Sequence, residues 1–210
     1  MKQRPTSDVS RRAFLRLGLA LPVSLGFVAC GREPLANLAQ LAPTRAQELA
    51  LTPPCDADPS PTLSQTEGPF FKPASPEGRS LLDPGITGTR FALAGYVQTP
   101  RCEPLPGALL DFWQADAAGV YDNPGYRLRG HQYADEQGRY ELETIVPGLY
   151  PGRTRHFHVK VQAANGPILT TQLYFPGEPA NNRDGLFRPA LLMATEAGVE
   201  GIRGTFNFVV

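Results

Sequence analysis

Across 210 residues, 20 Lys and Arg balance 20 Asp and Glu, so the chain is formally neutral. That balance argues against a nucleic-acid surface, which calls for a basic patch. The charge is unevenly spread: the first 29 residues carry five basic side chains (Lys2, Arg4, Arg11, Arg12, Arg16) against the single acid Asp8, a net of +4, leaving −4 from Cys30 onward.

At the N-terminus, Ser10-Arg11-Arg12-Ala13-Phe14-Leu15-Arg16 precedes an apolar run over 17–29, short of the roughly 20 residues a membrane span needs. The segment resembles a twin-arginine export signal. Phe27-Val28-Ala29-Cys30 resembles a lipoprotein cleavage box, and cleavage there makes Cys30 a lipidated first residue and a membrane anchor. Ordinary signal-peptidase cleavage nearby is the alternative. Either route is expected to export the protein to the periplasm or cell envelope, and the twin-arginine route carries folded proteins. With Cys30 committed to the signal (residues 1–30), Cys55 and Cys102 remain as a pair in an oxidising compartment. Their bridge is worth about 4 kcal/mol as an upper value from loop-closure entropy.

Residues 31–54, rich in Ala, Leu and Pro without a sustained period, read as a tether with one short helix over 44–51. Residues 55–210 form one domain. Within it, short β-rich runs at 91–97, 108–114, 139–146, 156–163, 168–175 and 205–210 are separated by Gly, Pro, Asp and Asn clusters. With no long amphipathic helix, the pattern predicts an all-β antiparallel sandwich carrying long active-site loops.

Two of the three histidines, His156 and His158, stand two residues apart in a strand-like run and therefore point to one face. Tyr150 lies just upstream and Tyr121 in the loop after Trp113. Two imidazoles and two phenols are thus available to one metal ion. A phenol titrates near 10, so holding it ionised at neutral pH costs about 4 kcal/mol, at about 1.36 kcal/mol per pKa unit. A hard, highly charged cation supplies that stabilisation, and ferric iron fits best.

Leu105-Pro106-Gly107-Ala108, Asp135-Glu136-Gln137-Gly138-Arg139-Tyr140 and Pro147-Gly148-Leu149-Tyr150 resemble small prealbumin-like β-sandwich modules without metal or catalysis. In that reading Tyr140 is core. It leaves unexplained Tyr121, the paired histidines and Arg153. Those residues, with Gln65-Thr66-Glu67-Gly68-Pro69-Phe70-Phe71, Trp113-Gln114-Ala115-Asp116, Gly119-Val120-Tyr121 and Gln172-Leu173-Tyr174-Phe175, resemble the intradiol ring-cleavage dioxygenases over about residues 63–187.

The resemblance implies a mononuclear non-haem Fe(3+) bound by Tyr121, Tyr150, His156 and His158, with Tyr150 and His158 axial and Tyr121 and His156 equatorial. It further implies that Arg153 sits over the substrate ring, with Gln172 nearby, both as donors. The substrate implied is a small aromatic diol of the catechol type, cleaved by O2 between its hydroxyl-bearing carbons to a muconate-type diacid. Tyr150 would leave the metal and act as a base, and Arg153 would stabilise developing negative charge. His131 matches no ligand and is expected to be structural. Arg155, next to His156, should point to the opposite face.

The chain departs from the family pattern in the short connection from Tyr150 to His156, in Gly152 where protocatechuate enzymes have a tryptophan, and in lacking a visible helical dimerisation segment. Substrate identity and oligomeric state stay open. A surface-anchored, non-catalytic sandwich that binds a ligand is one alternative. A zinc hydrolase built on His156 and His158 is another, although it lacks the carboxylate or cysteine ligand expected beside such a pair.

Overall fold

The computed structural model describes residues 60–210. The expected signal, the tether with its short helix, and Cys55 lie outside the described residues. In chain order the strands are β1 (Arg90–Gln98), β2 (Leu109–Trp113), β3 (Arg129–Tyr133), β4 (Arg139–Ile145), β5 (His156–Gln162), β6 (Ile168–Tyr174), β7 (Ala194–Gly198), β8 (Gly201–Thr205) and β9 (Phe208–Val209). One sheet runs β4-β1-β8-β7 with β9 beside β1, and the other runs β3-β2-β5-β6.

Period-two patterning builds the sandwich. In β1, Phe91, Leu93 and Val97 are buried while Arg90, Ala92 and Tyr96 are exposed. In β5, Phe157, Val159 and Val161 enter the same core. Phe91 and Phe157 meet across the layers with ring centroids 5.3 Å apart. Each such buried side chain contributes about 1.5–3 kcal/mol of transfer free energy. Tyr140 is 1% exposed and donates its hydroxyl to the Phe206 carbonyl at 2.9 Å, a core role.

Three features differ from the sequence expectation. β1 pairs in parallel with β8 and with β9, although every other named pair is antiparallel. The chain recrosses between sheets over residues 175–193, and such a crossover lets β8 run alongside β1 in the same direction. β3 and β7 carry little apolar signal: β3 reads Arg-Gly-His-Gln-Tyr, and all five residues of β7 are exposed. Finally, the run 205–210 is the end of β8 plus the separate short β9.

Alternation along β5 positions the site. With Phe157, Val159 and Val161 committed to the core, His156, His158 and Lys160 fall on the outer face of the second sheet. The segment 65–75 lies across that face. It is held where Gln65 N–H donates to the Thr170 carbonyl (2.8 Å), Gln172 Nε2 to the Thr66 carbonyl (2.9 Å) and Ser75 Oγ to Asp111 (2.8 Å).

Candidate metal centre

The Nε2 atoms of His156 and His158 lie 3.1 Å apart. His156 Nδ1 donates to the Thr154 carbonyl at 2.6 Å, leaving Nε2 as the lone-pair nitrogen. The Tyr121 hydroxyl lies 3.3 Å from that same Nε2. Two donors each about 2.1 Å from one ion are separated by about 3.0–3.4 Å at angles of about 90–110°. Both separations from His156 Nε2 are therefore those of neighbouring ligands to a single cation.

His158 is held by stacking. Its ring lies 4.8 Å from the indole of Trp113, its cross-strand partner, at an interplanar angle of 9°, and its buried Nδ1 has no hydrogen-bond partner. Phe70 stacks on Tyr121 at 4.4 Å and meets Tyr150 edge-on at 5.4 Å. The Tyr121 and Tyr150 rings are 6.0 Å apart. The structure thus gathers the donor atoms of Tyr121, His156 and His158 and brings the half-buried Tyr150 ring beside them.

Burial sets the protonation states. It depresses His156 to about 4, with the nearby Arg153 charge adding to the effect. It pushes His158 well below the ordinary imidazole value, with His156 contributing. Both rings are neutral at pH 7, the form that binds metal. Burial also raises the Tyr121 phenol above its ordinary value of 10, against the opposing charges of Arg153 and Arg129. The chain alone therefore keeps Tyr121 protonated, and a bound cation is what would ionise it. Among the described residues no group of three or more His, Cys, Asp or Glu side chains gathers to hold a metal. The protein oxygen beside His156 Nε2 is the Tyr121 phenol and not the carboxylate that a zinc hydrolase would call for.

Local sequence explains the loops. Tyr150-Pro151-Gly152-Arg153 closes a turn in which Arg153 N–H donates to the Tyr150 carbonyl at 2.9 Å, with Gly152 at φ +78°. Proline second and glycine third at positive φ define a type II turn. That φ accounts for Gly152, because a Cβ there would meet nothing within 4 Å. In the Tyr121 loop, the Asp116 carboxylate accepts from the N–H groups of Ala118 (2.9 Å) and Val120 (3.0 Å). The two tyrosine loops join where Gly148 N–H donates to the Asp116 carbonyl at 2.7 Å.

Arg153 donates through Nε to Asp184 at 2.9 Å and through Nη2 to Gln172 Oε1 at 2.5 Å. Gln172 is fully buried, and its amide is engaged at both ends, by Arg153 and by Thr66. Arg155 turns away, donating to Glu178 (2.8 Å) and the Pro147 carbonyl (2.6 Å). His131 lies outside the cluster, its Nδ1 2.7 Å from the Ser75 carbonyl.

Sequence reasoning missed Asp184, Thr154 and the buried Arg129, which donates to the Phe70 carbonyl at 2.5 Å, and it named Phe70 only within a motif, without its stacking on Tyr121. Asp184 sits in an Asn-Asn-Arg-Asp-Gly cluster that reads only as a loop. Its partner is 31 residues away, so no local period reveals it.

A family model described as Dioxygenase matches residues 66–196. Catechol 1,2-dioxygenase of Candida albicans is 30% identical over 154 residues, covering 60% of this chain and 51% of the relative. The protocatechuate 3,4-dioxygenase beta chain of Burkholderia cepacia is 33% identical over 119 residues, covering 48% and 51%. The chain spans about half the length of these relatives. Among solved structures, the dioxygenase domain of a dioxygenase carbohydrate-binding protein fusion from Streptomyces sp. SirexAA-E matches with 56% identity and a TM-score of 0.71, over 72% of this chain and 98% of that one. The 3-chlorocatechol 1,2-dioxygenase of Rhodococcus opacus 1CP matches with 29% identity and a TM-score of 0.66, over 70% and 72%. With a family match across more than half of its length and a sandwich of the same architecture, the chain belongs to the intradiol ring-cleavage dioxygenases.

Proposed function

We propose that the protein is an exported non-haem Fe(III) enzyme that cleaves a catechol-type ring between its two hydroxyl-bearing carbons. Both atoms of O2 enter the product, so catechol plus O2 gives a muconate-type diacid with no other reactant. The reading is carried by Tyr121 Oη and His158 Nε2, which lie 3.3 and 3.1 Å from His156 Nε2 in a buried site that holds both imidazoles neutral. Tyr121, Tyr150, His156 and His158 are the ligands. Ferric iron bound there supplies Lewis acidity that favours the doubly deprotonated diol and an electron-rich ring.

The chain's own groups do the rest. Thr154 fixes His156 in the tautomer that presents Nε2. Tyr150, the more exposed of the two phenols, would be held ionised by the bound cation and so could take up a substrate proton at Oη. Phe70, Phe71 and Trp113 form an aromatic wall that excludes water. Arg153 keeps a planar, permanently charged donor next to the donor cluster, where it stabilises negative charge developing on the substrate. A non-catalytic sandwich has no use for a buried cluster of this composition. Export by the twin-arginine signal, lipidation at Cys30 and a Cys55–Cys102 bridge belong to the same proposal and rest on residues outside the described region or on pairing with them.

The test is iron and colour. Purified protein is expected to hold one iron per chain with a phenolate-to-iron charge-transfer band in the visible. Anaerobic catechol should shift that band to longer wavelength. Colourless protein that takes up no iron would contradict the proposal.

A further inference from the structure

Three consecutive residues between the Tyr150 turn and His156 are gripped by one distant loop. Glu178 takes Arg155 at 2.8 Å, and Asn181 Oδ1 accepts from the Thr154 hydroxyl at 2.7 Å. Asp184 makes the central contacts. Its Oδ2 accepts from Arg153 Nε at 2.9 Å and from the Thr154 backbone N–H at 2.9 Å, while Oδ1 accepts from Leu186 N–H at 2.9 Å. The same Thr154 peptide presents its carbonyl to His156 Nδ1. One buried carboxylate therefore abuts both the cation assigned to the substrate and the peptide that orients a metal ligand.

We propose that Asp184 is the positioning residue for Arg153 in ring cleavage, an inference that rests on the function proposed above. A guanidinium is planar, and its donors are fixed relative to one another. Binding Nε to Asp184 and Nη2 to Gln172 Oε1 fixes that plane at two points, which leaves Nη1 to meet the substrate. The side chain of Asp184 is only 2% exposed and that of Arg153 17%, so water competes weakly for the pair. Without the carboxylate, Arg153 keeps only neutral partners, the Gln172 amide and the Tyr174 hydroxyl, and loses the charged contact that fixes its plane. Positioning errors on this scale reduce rates on the order of 100-fold without abolishing binding.

The experiment is a double-mutant cycle on the iron-loaded full chain with Asp184→Asn, Arg153→Ala and their combination. Asn is nearly isosteric: the oxygen it offers to Thr154 N–H and Arg153 Nε is uncharged, so the charged anchor is lost while the backbone contact is kept, and Leu186 N–H gives up its acceptor. Iron content, the charge-transfer band and the unfolding midpoint are recorded for each variant, together with anaerobic catechol titration and oxygen uptake. Asp184→Asn is expected to keep iron and colour, to bind catechol within about threefold of the parent and to lose turnover on the order of 100-fold. In the Arg153→Ala background the same substitution should cost almost nothing more, because residues acting as a unit are not additive. Asp184→Glu, which keeps the charge at a different reach, should recover part of the loss.

Multiplicative losses in the double mutant would overturn the proposal by showing that Asp184 acts independently of Arg153. Parental turnover in Asp184→Asn would overturn it as well. If Asp184→Asn fails to fold, Asp184→Glu in both backgrounds supplies the same comparison. An unmutated protein without iron or oxygen uptake would defeat the functional reading itself, a result distinct from any of these.

Discussion

Gly119 and Gly148 meet backbone to backbone: a Cβ built on Gly148 would lie 2.3 Å from the Gly119 nitrogen, and one built on Gly119 would lie 2.1 Å from the Leu149 carbonyl oxygen. The obstructing atoms are main chain, so no side-chain rotation relieves the contact. These two positions set how closely the loop carrying Tyr121 approaches the one carrying Tyr150. Gly148→Ala is expected to destabilise the domain by about 1–3 kcal/mol, the range for overpacking, and to weaken iron retention. Gly152→Ala, strained only by its positive φ, should cost about 1–2 kcal/mol and retain iron. Urea unfolding and metal analysis of the two variants check the contrast. Equal iron loss in both would contradict it.

The ligand assignment makes a spectroscopic prediction. Tyr121→Phe removes a phenolate, so the visible band should weaken and move even where iron is retained. His156→Ala should lower iron content to a small fraction of one per chain. A Tyr121→Phe, His156→Ala double mutant with full iron and full colour would show that the ligands lie elsewhere.

Asp111 gives a prediction about pH. Burial raises its carboxyl above the ordinary 3.8, outweighing the Ser75 hydroxyl bond and the charges of His131, Lys160 and Arg129. A carboxyl with a raised folded-state pKa binds more protons when folded. Stability therefore falls as pH rises from 3.8 through the folded value, and the penalty is fully present above it. Asp111→Asn keeps an acceptor for Ser75 and removes the penalty. Its urea midpoint should equal or exceed the parent's at pH 7 and match it at pH 3. A midpoint clearly below the parent's at pH 7 alone would reverse the sign and refute the assignment.

The cysteine proposal is checked by mass spectrometry of exported protein under non-reducing conditions. A linked peptide joining Cys55 and Cys102 is expected. Two alkylatable thiols at those positions would end it.

Much of the fold was legible because β1, β2, β4, β5 and β6 carry period-two apolar patterns, which follow directly from burying one face of a strand. β3 was not, since Gly130 and Gln132, paired with the core residues Phe112 and Leu110, put no large apolar side chain on its core face. β7 was not, since it buries nothing. Within the candidate site, His156, His158, Tyr150 and Arg153 could be named because they share one short run, and Tyr121 because its loop follows a recognisable Trp-Gln-Ala-Asp segment. Asp184 was invisible, and Phe70 was legible only as part of the Gln65-to-Phe71 segment, not as the ring stacked on Tyr121. Each acts through a contact with a residue about 30 to 50 positions away in sequence, Arg153 for the first and Tyr121 for the second, and neither carries a local signature of that contact.

The central claim is intradiol cleavage by O2 at this centre, and isotope labelling tests it most directly. Iron-loaded protein turned over with catechol under 18O2 should yield a muconate-type diacid carrying two 18O atoms, one in each carboxyl group. A product with no label from O2, or a ring opened beside the diol instead of between its two hydroxyl-bearing carbons, would contradict the account.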